Sequence, residues 1–153
     1  MAYEYTHSLP HEHDTVKFAE RMATILRAGD TLLLSGEIGA GKSAFSRAVI
    51  RFLAGAEIEV PSPTFTLVQT YDLHPAEVWH CDLYRLTHPD EAYELGLDEA
   101  FETAICLIEW PDRLGDTKPD NALNLHFEAL QDGHAVSFSV DDQWASRLDN
   151  ANV

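Results

Sequence analysis

The sequence predicts a three-layer α/β fold whose central mixed sheet has a parallel core and antiparallel hairpins. Three features of the chain lead there. The apolar run Thr31-Leu32-Leu33-Leu34-Ser35 passes through a Gly-rich turn into a helical pattern, a strand-loop-helix unit. Ile105-Cys106-Leu107-Ile108 is fully apolar and rich in branched side chains, as in a strand buried on both faces. Two pairs of strand-like segments are separated by turn residues, His74-Pro75 and Asp132-Gly133, which favours hairpins. The Gly-rich turn itself, Gly36-Glu37-Ile38-Gly39-Ala40-Gly41-Lys42-Ser43, is a complete P-loop in its proper context, so the expected fold is that of a P-loop NTPase. With 153 residues and neither linker nor internal repeat, residues 1–153 are expected to form one domain, too small to add a separate substrate domain.

Taken in order, Asp14 is a candidate N-cap, followed at mainly helical spacing by Val16, Phe18, Ala19, Met22, Ala23, Ile25 and Leu26 until Gly29 stops the run. A strand at 31–35 and a helix at about 42–54 (Ala44, Phe45, Ala48, Val49, Phe52, Leu53) frame the P-loop. Gly55 and Pro61 punctuate the chain, and Pro61-Ser62-Pro63 biases its neighbours to extended geometry. Strands are expected at roughly 64–72 and 77–85, paired as an antiparallel hairpin. From Pro89 to Phe101 the pattern is helical but broken at Gly96. The buried strand at 105–108 ends in Glu109-Trp110-Pro111. In the tail from about 122 to 140, Leu123, Leu125 and Phe127, then Val136, Phe138 and Val140, alternate as in a last hairpin, and the final residues form a short helix or a frayed end.

Bulk composition narrows the function classes. Asp plus Glu number 26 against 10 Lys plus Arg, a formal net charge of -16. Such a surface repels phosphate backbones, and no basic patch opposes it, which argues against independent binding of nucleic acid. The acidity fits docking on a basic partner, plain solubility or salt adaptation equally well. No apolar run approaches a membrane span, and the polar start from Met1 to Asp14 lacks a signal peptide's apolar region, so a cytoplasmic protein is expected. Cys81 and Cys106 lie in apolar strands without metal-ligand spacing and are expected to be reduced core thiols.

The P-loop carries the chemistry. Its glycines let successive N–H groups turn inward on phosphate oxygens, and the helix starting near Lys42 aims its positive end at the same anion. Glu37, Ile38, Gly39, Ala40, Gly41, Lys42, Ser43 and Ala44 are therefore the expected nucleotide-binding segment. Lys42 would reach the β- and γ-phosphates, and the Ser43 hydroxyl would complete the shell of a Mg²⁺ ion. Turnover also needs carboxylates near the metal. Glu109 closes an apolar strand, where a metal- or water-orienting acid belongs. Asp82, inside His80-Cys81-Asp82-Leu83-Tyr84-Arg85, either serves the metal or is paired with Arg85. Thr64 and Thr66, after a proline kink in Ser62-Pro63-Thr64-Phe65-Thr66, read equally as a nucleotide-sensing switch loop or as a turn and strand start.

These segments together resemble the bacterial tRNA threonylcarbamoyladenosine biosynthesis ATPase family, the TsaE family. The likeness rests on the P-loop at 36–43, Ser-Pro-Thr-Phe-Thr-Leu-Val at 62–68, His-Cys-Asp-Leu-Tyr-Arg-Leu at 80–86 and Ile-Glu-Trp-Pro at 108–111, and it spans roughly residues 14–115. The resemblance implies a small ATPase that uses ATP and Mg²⁺ to support repeated turnover of the threonylcarbamoyl transferase complex subunits, which make the t6A37 modification. The implied contact with tRNA is indirect, through that complex. Carried over by position, Lys42 and Ser43 serve phosphate and Mg²⁺, Thr64 and Thr66 lie in the switch loop, Asp82 and Glu109 serve metal and water, and Trp110 belongs to a functional Glu-Trp pair. Trp110 is alternatively a core residue; at a strand end it could stack on a base or touch the partner.

Three other readings compete. For a regulatory GTPase, Asp112-Arg113-Leu114-Gly115 fits DxxG and Thr117-Lys118-Pro119-Asp120 fits TKxD. They are nearly contiguous, however, whereas their roles lie at opposite ends of a nucleotide, so they read as a surface turn and ATP is expected over GTP. A small-molecule kinase would want a lid with several arginines, and only Arg85 lies between the switch loop and Glu109. A nucleotide-dependent binding module is the third. Without an obvious arginine finger, hydrolysis by the chain alone is expected to be slow.

Overall fold

The computed structural model describes residues 3–153, so Met1 and Ala2 of the polar start lie outside the described residues. The chain opens on a strand that the sequence reading missed, β1 (Tyr3–Leu9), followed by α1 (Glu12–Ala23). β1 alternates Tyr5, His7 and Leu9 inward, a period of two that is visible in the sequence but weakly apolar. It is held by pairing with the other end of the chain, and the Tyr5 ring stacks on Phe138 at 5.1 Å. The N-cap of α1 is His11 rather than Asp14. Asp14 sits in the first turn, where its carboxylate accepts the His11 backbone N–H at 3.0 Å, an anion at the positive helix end. The helix stops at Ala23, and the apolar residues after it pack in the turns leading to Gly29.

β2 (Thr31–Ser35), the P-loop and α2 (Lys42–Ala54) follow as expected, with Gly55 in a left-handed conformation closing the helix. The second predicted strand is shorter than expected. β3 is Val68–Tyr71, and residues 64–67 form a turn in which Leu67, at φ 67°, donates its N–H to the Pro63 carbonyl at 2.7 Å. β4 is Val78–Asp82 and pairs antiparallel with β3. Gly96, left-handed, splits the next helical stretch into α3 (Glu91–Glu94) and α4 (Leu97–Thr103). β5 (Ile105–Glu109) is buried at every position, and a 3₁₀ segment covers Pro111–Thr117. β6 (Leu123–Leu130) and β7 (Gly133–Val140) are the predicted hairpin, and α5 (Asp142–Asn150), N-capped by the Asp141 carboxylate, resolves the end of the chain as helix.

Among the described residues, seven strands join one sheet in the order β1-β7-β6-β2-β5-β4-β3. β2 runs parallel to both β5 and β6, β4 runs parallel to β5, and the three remaining pairings are antiparallel. The predicted parallel core flanked by hairpins is therefore observed, enlarged by β1. Alternation assigns the layers. Leu32, Leu34, Ile105 and Leu107 face α1, α2 and α5, while Leu33, Cys106 and Ile108 face α3, α4 and the 3₁₀ segment. α5 is fastened by Arg147, which binds both carboxylate oxygens of buried Asp30 and the Ile25 carbonyl, and by Trp144, whose indole N–H reaches the Asn121 carbonyl at 3.0 Å.

Cys81 and Cys106 are free and buried. Burial pushes the Cys81 thiol well above its ordinary range and raises Cys106 to about 12. Both thiols should stay unmodified by an aromatic disulfide reagent at pH 8 in the native protein and react fully after unfolding in guanidinium. Fast modification of either under native conditions would contradict this packing.

Candidate functional site

The P-loop crosses the end of the sheet between β2 and α2. Gly36, at φ 132°, is the position that has no room for a side chain: a Cβ there would stand 2.2 Å from the Phe127 carbonyl oxygen. The loop thus leans on β6 with its backbone. Beside it opens a cavity of about 660 Å³, lined along the loop by Ile38, Gly39 and Gly41 to Ala44. Glu37 and Ala40, expected in the same segment, do not line it. Glu37 is exposed, and Ala40 is buried in the core beneath the loop.

One end of the cavity is acidic. Asp82 ends β4 and Glu109 ends β5, and because these parallel strands pair Asp82 with Glu109, both carboxylates arrive at the same edge of the sheet. The Ser43 hydroxyl donates to Glu109 Oε1 at 3.1 Å, so the first turn of α2 and the end of β5 meet there. Thr64 joins them, with its hydroxyl 2.7 Å from Ser62 Oγ and 3.4 Å from Asp82 Oδ2. Asp82 also accepts the Tyr84 N–H at 3.0 Å. The alternative pairing of Asp82 with Arg85 is not what the fold makes. Arg85 lies over the exposed Phe65 ring, 5.1 Å from its centroid. Thr66 is likewise not brought to the cavity; it is exposed and accepts the Gln69 amide at 3.0 Å, because the left-handed turn at Leu67 directs the chain away into β3.

Lys42 is buried, donating to the Gly36 carbonyl at 2.5 Å, with its ammonium 4.0 Å from the centroid of the Trp110 ring. Burial draws its pKa below the usual lysine value, opposed by the negative charges of Glu109, Asp82 and Asp112. Trp110 is therefore neither plain core nor free rim. Held at φ 59°, it turns its ring over the lysine and against Tyr84 at 5.0 Å, and it lines the cavity.

The cavity wall also draws on elements that carry no site signal in the sequence. Pro10, His11, Glu12 and Thr15 arrive from the β1–α1 junction, and His134 from the β6–β7 hairpin, its Nε2 3.0 Å from the Gly39 carbonyl. No motif marks His134. His80 also belongs here: alternation places it on the same face of β4 as Asp82, its Nε2 is 2.9 Å from Glu109 Oε2, and both side chains are buried. The DxxG and TKxD look-alikes fold as the 3₁₀ segment and the turn after it, with Thr117 donating to the Leu114 carbonyl at 2.6 Å, and contribute nothing to the cavity lining.

Ser43, Asp82 and Glu109 offer only oxygen donors, the set Mg²⁺ prefers. Among the described residues no cluster of three or more His, Cys, Asp or Glu could hold a metal by itself. Such a donor set suits a cation whose remaining positions are filled by phosphate and water. No helix among the described residues is long and apolar enough to cross a membrane.

The comparisons agree with this architecture. The family profile of the threonylcarbamoyl adenosine biosynthesis protein TsaE matches residues 9–136. The tRNA threonylcarbamoyladenosine biosynthesis protein TsaE of Rickettsia bellii is 39% identical over 121 residues, covering 79% of this chain and 84% of its own. The protein of the same description from Bacillus subtilis is 35% identical over 129 residues, covering 83% of this chain and 80% of its own. The crystal structure of Bacillus subtilis YdiB superposes with a TM-score of 0.83 at 25% identity, covering 99% of this chain and 96% of that one. With a P-loop on a parallel sheet core, a profile match across most of the chain and relatives alike over most of their length, this chain belongs to the TsaE family.

Proposed function

We propose that the chain is an ATPase of tRNA threonylcarbamoyladenosine biosynthesis, acting in the cytoplasm as one domain. It binds ATP with Mg²⁺ in the cavity, hydrolyses it slowly, and so supports repeated turnover of the threonylcarbamoyl transferase complex, meeting tRNA only through that complex. The observation that carries this is the Ser43–Glu109 contact of 3.1 Å in the cavity that the P-loop lines. The P-loop backbone, a hydroxyl and two carboxylates line one cavity, which supports the reading because phosphoryl transfer to water requires these groups together.

Each residue has a part set by its position. The amides from Gly39 to Ala44 and the start of α2 would hold the phosphates, and Lys42 would exchange the Gly36 carbonyl for a phosphate oxygen. Ser43, Asp82 and Glu109 would hold Mg²⁺, which supplies charge neutralisation at the phosphates when bound. The Glu109 carboxylate orients the attacking water, Thr64 couples the switch loop to Asp82, and Trp110 packs the lysine against the cavity wall. The wall formed by Pro10, Thr15 and His134, which carries none of the phosphate or metal groups, would face the base and ribose. Thr66, Glu37 and Ala40 have no side-chain part in this scheme.

Hydrolysis of ATP and of GTP should be compared for the wild-type chain and for Lys42→Ala, with and without the transferase complex of the same organism. The expected result is slow ATP turnover that rises with the complex and falls at least about a hundredfold in the variant, the cost of removing one positioned charge. GTP preference, or turnover indifferent to the complex, would overturn the proposal.

A further inference from the structure

Glu109 is bonded on both oxygens, but unevenly. The Ser43 hydroxyl donates to Oε1 at 3.1 Å and reaches Oε2 at 3.4 Å, while His80 Nε2 lies 2.9 Å from Oε2 alone, so the shortest contact of each oxygen is with a different partner. An ionised carboxylate is acceptor-only, so Nε2 carries the proton of this contact. The other ring nitrogen, Nδ1, is buried with no hydrogen-bond partner among the described residues. A fold that only needed to fill this space would place an apolar side chain on β4 and avoid both an orphaned nitrogen and a buried polar ring. The imidazole contributes one thing an apolar residue does not, an N–H aimed at Glu109.

We infer that His80 is a positioning residue: it pins Oε2 of Glu109, leaving Oε1 as the working oxygen of the carboxylate. This inference rests on the ATPase reading above for its catalytic consequence, though not for the hydrogen bond itself. The register supports the division of labour. Glu109 is the last residue of β5, where a side chain is held by its strand on one side only, and His80 reaches it diagonally from two residues before the end of β4. If Ser43 turns its hydroxyl toward a metal, Oε1 is released, while the bond from His80 keeps the carboxylate plane from rotating. Metal- and water-handling carboxylates depend on such outer partners for orientation, and losing one costs about 10- to 100-fold.

The test has two arms on the full chain. In the first, nitrogen-15 spectra of the histidine rings in the unliganded wild type report the tautomer of His80, identified by the signal lost in His80→Gln. An Nε2–H tautomer with a slowly exchanging proton, shifted by Glu109→Gln, is expected; an Nδ1–H tautomer, or a signal indifferent to Glu109, would refute the pairing. In the second arm, His80→Leu should lower kcat for ATP about 10- to 100-fold with KM changed by less than about threefold. His80→Gln, whose amide nitrogen can stand in for Nε2–H, should return kcat to within about fivefold of wild type. Equal losses in the two variants, or an effect on KM alone, would reduce His80 to packing. Should His80→Leu fail to fold, the glutamine variant and the tautomer decide. Absence of ATP hydrolysis by the wild type would sink the ATPase reading, while the spectra would still judge the His80–Glu109 bond.

Discussion

Replacing Glu109 by glutamine is expected to lower ATP turnover by about 10²- to 10⁴-fold, the range for removing a positioned proton acceptor. The substitution keeps the shape of the side chain and an oxygen for His80 to bond, so it removes charge and basicity with little disturbance to the buried end of β5. Nucleotide binding should persist, because the amides of Gly39 to Ala44 and the Lys42 ammonium are untouched. Single-turnover hydrolysis together with a direct binding titration separates the two effects. A variant that binds and hydrolyses like wild type would reassign Glu109 to structure and leave Asp82 as the remaining acid. Glu109→Ala should lose turnover as well, but it also strands the His80 N–H in the interior at about 1–3 kcal/mol, so its stability has to be measured alongside.

Phe45→Ala should be the most destabilising single truncation near the site, by about 3–5 kcal/mol. Phe45 is fully buried and joins three elements: its ring lies 5.6 Å from Phe18 of α1 and 5.4 Å from Phe127 of β6. In a domain of this size the loss corresponds to a fall of about 10 °C in Tm. The effect should reach the P-loop, since Gly36 abuts the Phe127 carbonyl and any shift of β6 changes the backbone that the loop leans on. Weaker ATP binding is therefore expected in the variant even at temperatures where it is fully folded. Phe52→Ala on the same helix, 41% exposed, is the control and should cost only about 1 kcal/mol. Equal losses at the two positions would mean that the aromatic cluster does not join the layers.

Much of the fold is legible in the sequence where the deciding interactions are local. The strand-loop-helix unit, the break at Gly96 and the β6–β7 hairpin are written within a few residues of themselves, in apolar period and in glycines that must adopt positive φ. The structure departs from the sequence expectation mostly where a distant partner decides, and locally at the N-cap of α1 and at the turn that Leu67 closes on Pro63. β1 is too polar to announce itself and becomes a strand because β7 offers an edge and Phe138 a stacking partner. Thr64 and Thr66 look alike in sequence, but the left-handed Leu67 turns the chain so that only Thr64 meets Asp82. Arg85, adjacent in sequence to the acidic motif, is carried past Asp82 to Phe65.

By itself, the sequence determined that this chain has a P-loop motif, which acids could accompany it, and a layered parallel-core fold, because those properties depend on residue order over short spans. Tertiary structure alone decided that Asp82 and Glu109 reach the same cavity edge, that His80 and His134 belong to that site, and that Trp110 covers Lys42. Each depends on the register between strands or on loops from opposite ends of the chain, and pairing energy between distant segments leaves no mark on either segment read alone.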